Sequence, residues 1–206
     1  MIDITQQITA VRRHVGHRAL EAGEGRTVTI SQSYPTDVDD LWDACTNPER
    51  LPRWFAPVSG ELRLGGRYQI EGNAEGTVER CDPPKGFAAT WEFAGATSWI
   101  EVRLSPDADG GARFELEHLM EKNAHWDEFG PGATGMGYDM ALTALALHVT
   151  GSVVTGEEAT AWWATPDGKR FFAESGERWY EADVAGGTPP DVARGAADRC
   201  IAAYSA

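Results

Sequence analysis

A long apolar segment behind a cluster of glycines constrains the fold of this chain more than any other feature. Residues 130–149 read GPGATGMGYDMALTALALHV, and Asp139 is the one carboxylate in a segment without Lys or Arg. A helix that is apolar over most of its circumference must be covered on two sides. We therefore expect a layer of strands against one side of this helix and the C-terminal segment against the other.

In the chain before this helix, turn-forming residues recur at the spacing expected of β-hairpins. Examples are Gly65-Gly66, Gly72-Asn73 and Pro83-Pro84. Between the turns, apolar and polar residues alternate, which is the period of a strand with one buried face. After a first strand in RTVTISQSY, we predict six more near residues 58–64, 66–72, 76–82, 87–94, 98–105 and 112–120. Consecutive hairpins predict one antiparallel sheet of seven strands.

Short helices are predicted at three further places. Thr36 or Asp37 can cap the first of two helices that follow the first strand, and Asn47 can cap the second. Apolar residues at helical spacing over the first twenty positions predict an amphipathic helix, which a linker then joins to the sheet. We place the helix and linker in residues 1–25.

The tail is rich in aromatic side chains that are too numerous for solvent. Its aromatic residues within one short stretch are Trp162, Trp163, Phe171, Phe172, Trp179 and Tyr180. We predict a helical extension over residues 153–206, with breaks at Pro166 and Gly187. Its aromatic rings either pack on the long helix and the leading helix or form a homodimer interface.

Charge and composition exclude several classes of function. The formal net charge is −14 and the basic residues are scattered, which disfavours nucleic-acid and membrane-surface partners. No apolar run reaches the roughly 18 residues that span a bilayer, and the N-terminus lacks a signal-peptide core, so we expect a cytoplasmic protein. Cys45, Cys81 and Cys200 are far apart, and His14 and His17 have no further ligand at a metal-binding interval. We predict no disulfide, metal or cofactor.

The glycines before the long helix have three interpretations. Gly130, Gly132, Gly135 and Gly137 would either make a tight turn or leave unfilled volume between helix and sheet. A phosphate-binding loop is disfavoured, because GATGMG follows a loop rather than a strand and has no basic neighbour.

Several sequence segments, taken together, resemble those of a known family. They are YPTDVDDLWDACTNPERLPRWF, GGRY, CDPPKGFAATWEF, ELEH and WDEFGPGATGMGYDMALTALALHV. With the order of elements, they resemble the START-like or SRPBCC superfamily, in the bacterial branch similar to the activator of the heat-shock-protein-90 ATPase. The resemblance implies an α+β helix-grip domain over residues 26–152, with a seven-stranded antiparallel sheet wrapped around the long helix and a cavity between them.

Strand alternation and helix position predict which residues would line such a cavity. The predicted ligand-binding residues are Trp54, Phe55, Tyr68, Trp91, Phe93, Trp99, Phe114, Leu116, His118, Met136, Tyr138 and Met140. Structural packing explains most of the 8 tryptophans equally well, and a histidine on an apolar strand is often a neutral core residue.

We expect this protein to bind a small hydrophobic or amphipathic molecule, similar to a lipid or polyketide, without transforming it. Alternation places Glu101 and Glu117 on the face opposite Ile100 and His118, so no acid–base pair is predicted. Two alternatives stay open. One is an enzyme similar to polyketide cyclases and dehydrases, and the other is a chaperone-associated or other protein-interaction module.

Overall fold

The computed structural model describes residues 3–20, 23–152 and 156–206 and has an α+β fold. Its eight strands are β1 (Arg12–Leu20), β2 (Gly23–Tyr34), β3 (Val58–Gly60), β4 (Arg67–Ile70), β5 (Glu75–Asp82), β6 (Gly86–Phe93), β7 (Ala96–Pro106) and β8 (Ala112–Glu121). They form one open antiparallel sheet in the order β1-β2-β8-β7-β6-β5-β4-β3. The predicted fold class is confirmed, with eight strands in place of seven.

In the described ranges, seven α-helices accompany the sheet. They are α1 (Ile4–Ala10), α2 (Val38–Thr46), α3 (Ala124–Phe129), α4 (Gly132–Val149), α5 (Gly156–Trp163), α6 (Pro166–Ala185) and α7 (Pro190–Tyr204). The side chain of Asp37 caps α2 by accepting a hydrogen bond from the Asp40 amide at 2.8 Å. The second short helix after β2 is a single 3-10 turn, Leu51–Arg53. No helix among the described residues is both long and apolar enough to cross a membrane.

The chain divides into two compact units. The terminal unit comprises Met1–Ile30, Glu121–Thr143 and Val154–Ala206, and the strand unit comprises Ser31–Met120 and Ala144–Val153. Both β2 and α4 run from one unit into the other. The predicted domain boundaries at residues 25 and 152 are not tested by this division and stay a prediction.

The predicted leading helix is wrong beyond Ala10. The chain forms α1 over only seven residues and then enters β1 at Arg12. Val11 and Val15 are buried, and a spacing of four places two residues on one face of a strand as well as on one face of a helix. The predicted linker is also too long, because β2 begins at Gly23, and residues 21 and 22 lie outside the described residues.

The helices of the extension pack within the terminal unit. Phe171, Phe172 and Trp179 of α6 are all buried, and the ring centroids of Phe172 and Tyr204 lie 5.3 Å apart. Cys200 of α7 donates its thiol hydrogen to the Phe129 carbonyl at 3.0 Å. For these side chains, the structure shows intramolecular packing rather than exposure.

The glycines at the start of α4 allow side chains of α6 and α7 to pack closely against this helix. A Cβ atom on Gly135 would lie 2.2 Å from Cε2 of Trp179, and one on Gly132 would lie 3.2 Å from Sγ of Cys200. Contacts under 3.0 Å essentially never occur for real Cβ atoms. The predicted unfilled volume at these positions is therefore wrong, since side chains of α6 and α7 occupy it.

Candidate functional site

The registers of β4 to β8 divide the side chains of the strand unit into two faces. Tyr68 pairs with Gly76, Ile100 pairs with His118, and paired residues in an antiparallel sheet share a face. The first face, here called the apolar face, carries Tyr68, Ile70, Gly76, Val78, Cys81, Phe87, Ala89, Trp91, Phe93, Ser98, Ile100, Val102, Leu104, Phe114, Leu116 and His118. None of these residues is an acid, a lysine or an arginine.

The opposite face, here called the charged face, carries the acids and arginines of the same strands. They include Arg80, Glu92, Glu101, Arg103, Arg113, Glu115 and Glu117. Trp99 pairs with Thr90 and Leu119 and therefore also lies on the charged face. The prediction that Trp99 lines a site with His118 is wrong, because one residue along a strand reverses the face.

His118 lies near the middle of the apolar face and is buried, with 6% of its surface exposed. Its Nε2 lies 2.7 Å from Oγ of Ser98, and that hydroxyl donates its one hydrogen to the Trp91 carbonyl at 3.1 Å. Because the serine hydrogen is used, His118 must be the donor, which fixes the tautomer with hydrogen on Nε2. Burial lowers the pKa of His118 to about 4, so the ring is neutral at pH 7.

Trp91 and Tyr68 give the apolar face two half-buried aromatic surfaces. The rings of Trp91 and His118 lie 5.9 Å apart. The Tyr68 hydroxyl donates to the Thr90 carbonyl at 2.6 Å, and the ring lies over Gly76, where a Cβ would come 2.8 Å from Cε1. Burial raises the pKa of Tyr68 to about 12, so its hydroxyl stays protonated. The hydroxyl bond and the close approach to Gly76 thus fix the position of the Tyr68 ring, and His118 contacts that of Trp91.

Helix α2 covers one end of the strand unit. Trp42 meets Phe87 edge to face at 6.4 Å, and Trp54 donates from Nε1 to the Ala44 carbonyl at 2.9 Å. The ring of Phe55 lies 5.5 Å from that of Trp54 and is 39% exposed, while Phe93 at the end of β6 is 53% exposed. Trp54 and Phe55 thus pack against each other.

The three predicted residues of α4 lie in the terminal unit. Met136 is fully buried, and Tyr138 and Met140 are half-buried. Their participation in a ligand site stays a prediction. Phe114 and Leu116, by contrast, are buried on the apolar face of β8, the same face that carries His118.

One buried polar cluster was missed by the sequence reasoning. Asp139 of α4 accepts hydrogen bonds from Arg13 Nη2 at 2.7 Å, Ser175 Oγ at 2.6 Å and Trp179 Nε1 at 2.9 Å. The signal was available, since a lone carboxylate in an apolar helix needs a charged or donating partner. Arg13 was not identified as the partner of Asp139, because the leading residues were predicted to form a helix.

The apolar face offers surface for binding rather than groups for acid–base chemistry. His118 is neutral and already hydrogen-bonded, and Glu101 and Glu117 lie on the charged face as the sequence predicted. Among the described residues, no group of three or more His, Cys, Asp or Glu side chains could hold a metal ion. The chemistry available on this face is therefore hydrophobic and aromatic contact.

The lowered pKa of His118 predicts a pH-dependent stability. The unfolded histidine titrates near 6.5 and the folded one near 4, so the unfolded state alone gains a proton as the pH falls between these values. The free energy of unfolding is expected to drop by about 2 kcal/mol more in the wild type than in His118→Gln between pH 7 and pH 4.5. Urea denaturation at the two pH values measures this difference. Equal drops in both proteins would contradict the assignment.

Comparisons with known proteins connect this geometry to a family. Residues 35–149 match the family model described as Activator of Hsp90 ATPase homolog 1-like protein. CalU16 from Micromonospora echinospora is 35% identical. Its crystal structure has a TM-score of 0.69 and covers 84% of this chain and 98% of CalU16. Its solution NMR structure has a TM-score of 0.72 and covers 86% of this chain and 97% of CalU16.

A more distant solved structure shows the same fold. DynU16, a protein in the dynemicin biosynthetic locus, is 18% identical with a TM-score of 0.55, over 61% of this chain and 47% of DynU16. None of the curated proteins compared with this chain matches it.

Proposed function

The chain belongs to the Activator of Hsp90 ATPase homolog 1-like family, and from this premise we propose that it binds one small uncharged, apolar molecule on the apolar face. The fold is of a ligand-binding type. The proposed contacts are the half-buried rings of Tyr68 and Trp91, with Leu116 and His118 beside them. The molecule is released unchanged.

The observation that carries the proposal is the absence of formal charge from the apolar face of β4 to β8. Every acid and arginine that these registers pair lies on the charged face. A charged group placed against the apolar face would lose its hydration without gaining a partner, which is costly. An uncharged ligand avoids this cost and gains the contact area of two aromatic rings.

The hydrogen bonding of His118 disfavours the cyclase alternative. Its Nε2 hydrogen is directed at Ser98, and Ser98 in turn is bound to the Trp91 carbonyl. With a pKa of about 4, the ring cannot serve as a protonated general acid near pH 7. This network supports a role in fixing the Trp91 strand rather than in proton transfer.

Two fluorescent probes of nearly the same shape test the proposal. N-Phenyl-1-naphthylamine is uncharged, and 8-anilinonaphthalene-1-sulfonate has the same ring skeleton with one negative charge. We expect saturable binding of the uncharged probe with a Kd at least about tenfold lower than that of the sulfonate. If neither probe binds saturably, the proposed function is overturned. Tighter binding of the sulfonate in competition with the uncharged probe would overturn the requirement for an uncharged ligand.

Two tryptophans on opposite faces give a matched pair of variants. Both Trp91 and Trp99 are half-buried residues of neighbouring strands, but only Trp91 lies on the apolar face. Trp91→Leu is expected to weaken binding of the uncharged probe about fivefold or more, and Trp99→Leu less than about twofold. Equal losses in the two variants would place the probe elsewhere.

A further inference from the structure

The charged face contains a groove of about 400 Å³ near the turn between β5 and β6. Gly86 forms part of its wall, and a side chain there is excluded because a Cβ would lie 2.1 Å from the Val102 carbonyl oxygen. Gly86 pairs with Asp82 on one side and with Arg103 on the other. The backbone of β7 therefore fills the place of a side chain at Gly86, and the groove lies beside it along strands that carry charged residues.

Cations predominate among the side chains that line this groove. They are Arg80, Lys85, Arg103 and Arg113, against the carboxylates of Asp82 and Glu115. Glu101 and Glu117 lie beside Arg103 outside this lining, so the positive charge is confined to the groove wall, in a chain with a formal net charge of −14. Local charge of this sign attracts anions and raises their concentration at the groove.

The ion pairs of the groove involve its arginines unequally. Glu101 binds both Arg80 and Arg103, and Arg103 also donates to Glu115 at 2.9 Å. Arg113 donates to the neutral Ser31 hydroxyl at 2.7 Å and lies 4.0 Å from Glu115. The series from Arg80 to Arg113 thus begins and ends with an arginine, Glu117 adds a third carboxylate beside Arg103, and Arg113 is the arginine with the most distant ion-pair partner.

Lys85 adds a cation that has no ion pair within the described part of the chain. Its backbone is fixed, since its amide donates to the Asp82 carbonyl and its carbonyl accepts from the Leu104 amide, both at 2.7 Å. Its side chain is exposed. A lysine whose backbone is fixed at the groove and whose side chain lines it together with arginines is a binding arrangement for a phosphate or carboxylate.

We propose that this groove binds the phosphate or carboxylate group of a small anionic molecule. The anion lies between Lys85 and the free N–H groups of Arg113, and the Ser105 hydroxyl at the same groove supplies a neutral donor. The groove lies on the charged face and the proposed apolar ligand on the other face of the same strands. The two sites are therefore separate, and this inference does not rest on the proposed function.

Inorganic pyrophosphate is the probe for the first test, with binding followed by amide NMR shifts. We expect saturable shifts centred on Gly86 and Ser105, which weaken when the ionic strength is raised. Lys85→Ala is expected to raise the Kd about threefold and Lys85→Glu about tenfold. The uncharged naphthylamine probe should bind equally well with and without pyrophosphate.

Lys169→Glu is the matched control, because Lys169 is an exposed lysine of α6 outside the groove. It should change the Kd less than about twofold. An equal change of the Kd in Lys169→Glu, or amide shifts spread over the surface, would show that pyrophosphate is attracted only by the overall charge. Either result would overturn the proposal. Binding of poly-glutamate at Gly86 and Ser105 without binding of pyrophosphate would overturn it in favour of an acidic protein partner.

Discussion

Replacing Asp139 by asparagine is expected to lower the free energy of unfolding by about 3 to 5 kcal/mol. The carboxylate is 1% exposed and accepts from Arg13, Ser175 and Trp179. Asparagine has one acceptor oxygen and a donating amide, so it leaves the Arg13 guanidinium, whose side chain is 4% exposed, without its counter-charge. An unpaired buried charge is what makes such a change severe. Denaturant unfolding of the two proteins at pH 7 measures the difference.

An exposed aspartate and a double variant serve as controls for this prediction. Asp198→Asn removes one of the two carboxylates that pair with Arg194 on α7, where the aspartate is 63% exposed, and should cost less than about 1 kcal/mol. Joint replacement of Arg13 and Asp139 by leucine should be less destabilising than Asp139→Asn alone, because no buried charge then lacks a partner. A loss below about 1 kcal/mol for Asp139→Asn would show that the ion pair does not hold α4 to β1.

The second large effect is expected at Gly135, one helical turn before Asp139. An added methyl would meet three atoms of the Trp179 indole at 2.2 to 2.6 Å. The indole cannot retreat freely, since its Nε1 donates to Asp139 and the side chain is fully buried. Gly135→Ala should lower the free energy of unfolding by about 3 kcal/mol, although alanine favours helix by about 1 kcal/mol. Thermal and urea unfolding measure this loss.

Gly137→Ala is the matched control in the same helix. Its added methyl would lie 3.3 Å from the Tyr204 hydroxyl, which need move only a few tenths of an ångström and can do so while it still donates to the Ala133 carbonyl. The change should therefore be close to neutral, with helix propensity offsetting the tighter contact. If Gly135→Ala is no worse than Gly137→Ala, Trp179 does not pack against Gly135 as described. In a Trp179→Leu background, Gly135→Ala should cost clearly less, which a double-mutant cycle would show.

The period of two in β6, β7 and β8 made the sheet predictable. Phe114, Leu116 and His118 alternate with glutamates, and the register confirms that they share a face with Ile100 and Val102. The same rule, applied to Trp99, would have placed it with Glu101 on the opposite face. That error came from choosing residues by type instead of by position along the strand.

The leading strand could not be identified from local pattern alone. Val11, Arg13 and Val15 lie on one face of the chain at β1, and an arginine between two buried valines contradicts the usual strand pattern. The counter-charge of the buried Arg13 side chain is the distant Asp139, and a contact between residues 126 positions apart leaves no local signal in the sequence. The glycines of α4 show the same limit, because sequence indicates that something approaches a glycine closely but not which element does.

The most direct test of the ligand site is an isotope-filtered NOE experiment on the labelled protein with unlabelled N-phenyl-1-naphthylamine. The account predicts NOEs from the probe to the Trp91 ring and the Leu116 methyl groups on the apolar face. Trp99 and Leu119, their neighbours on the charged face, should show none. NOEs confined to Trp99 and Leu119, or the absence of NOEs to any of these side chains at saturation, would contradict the assignment of the apolar face as the ligand site.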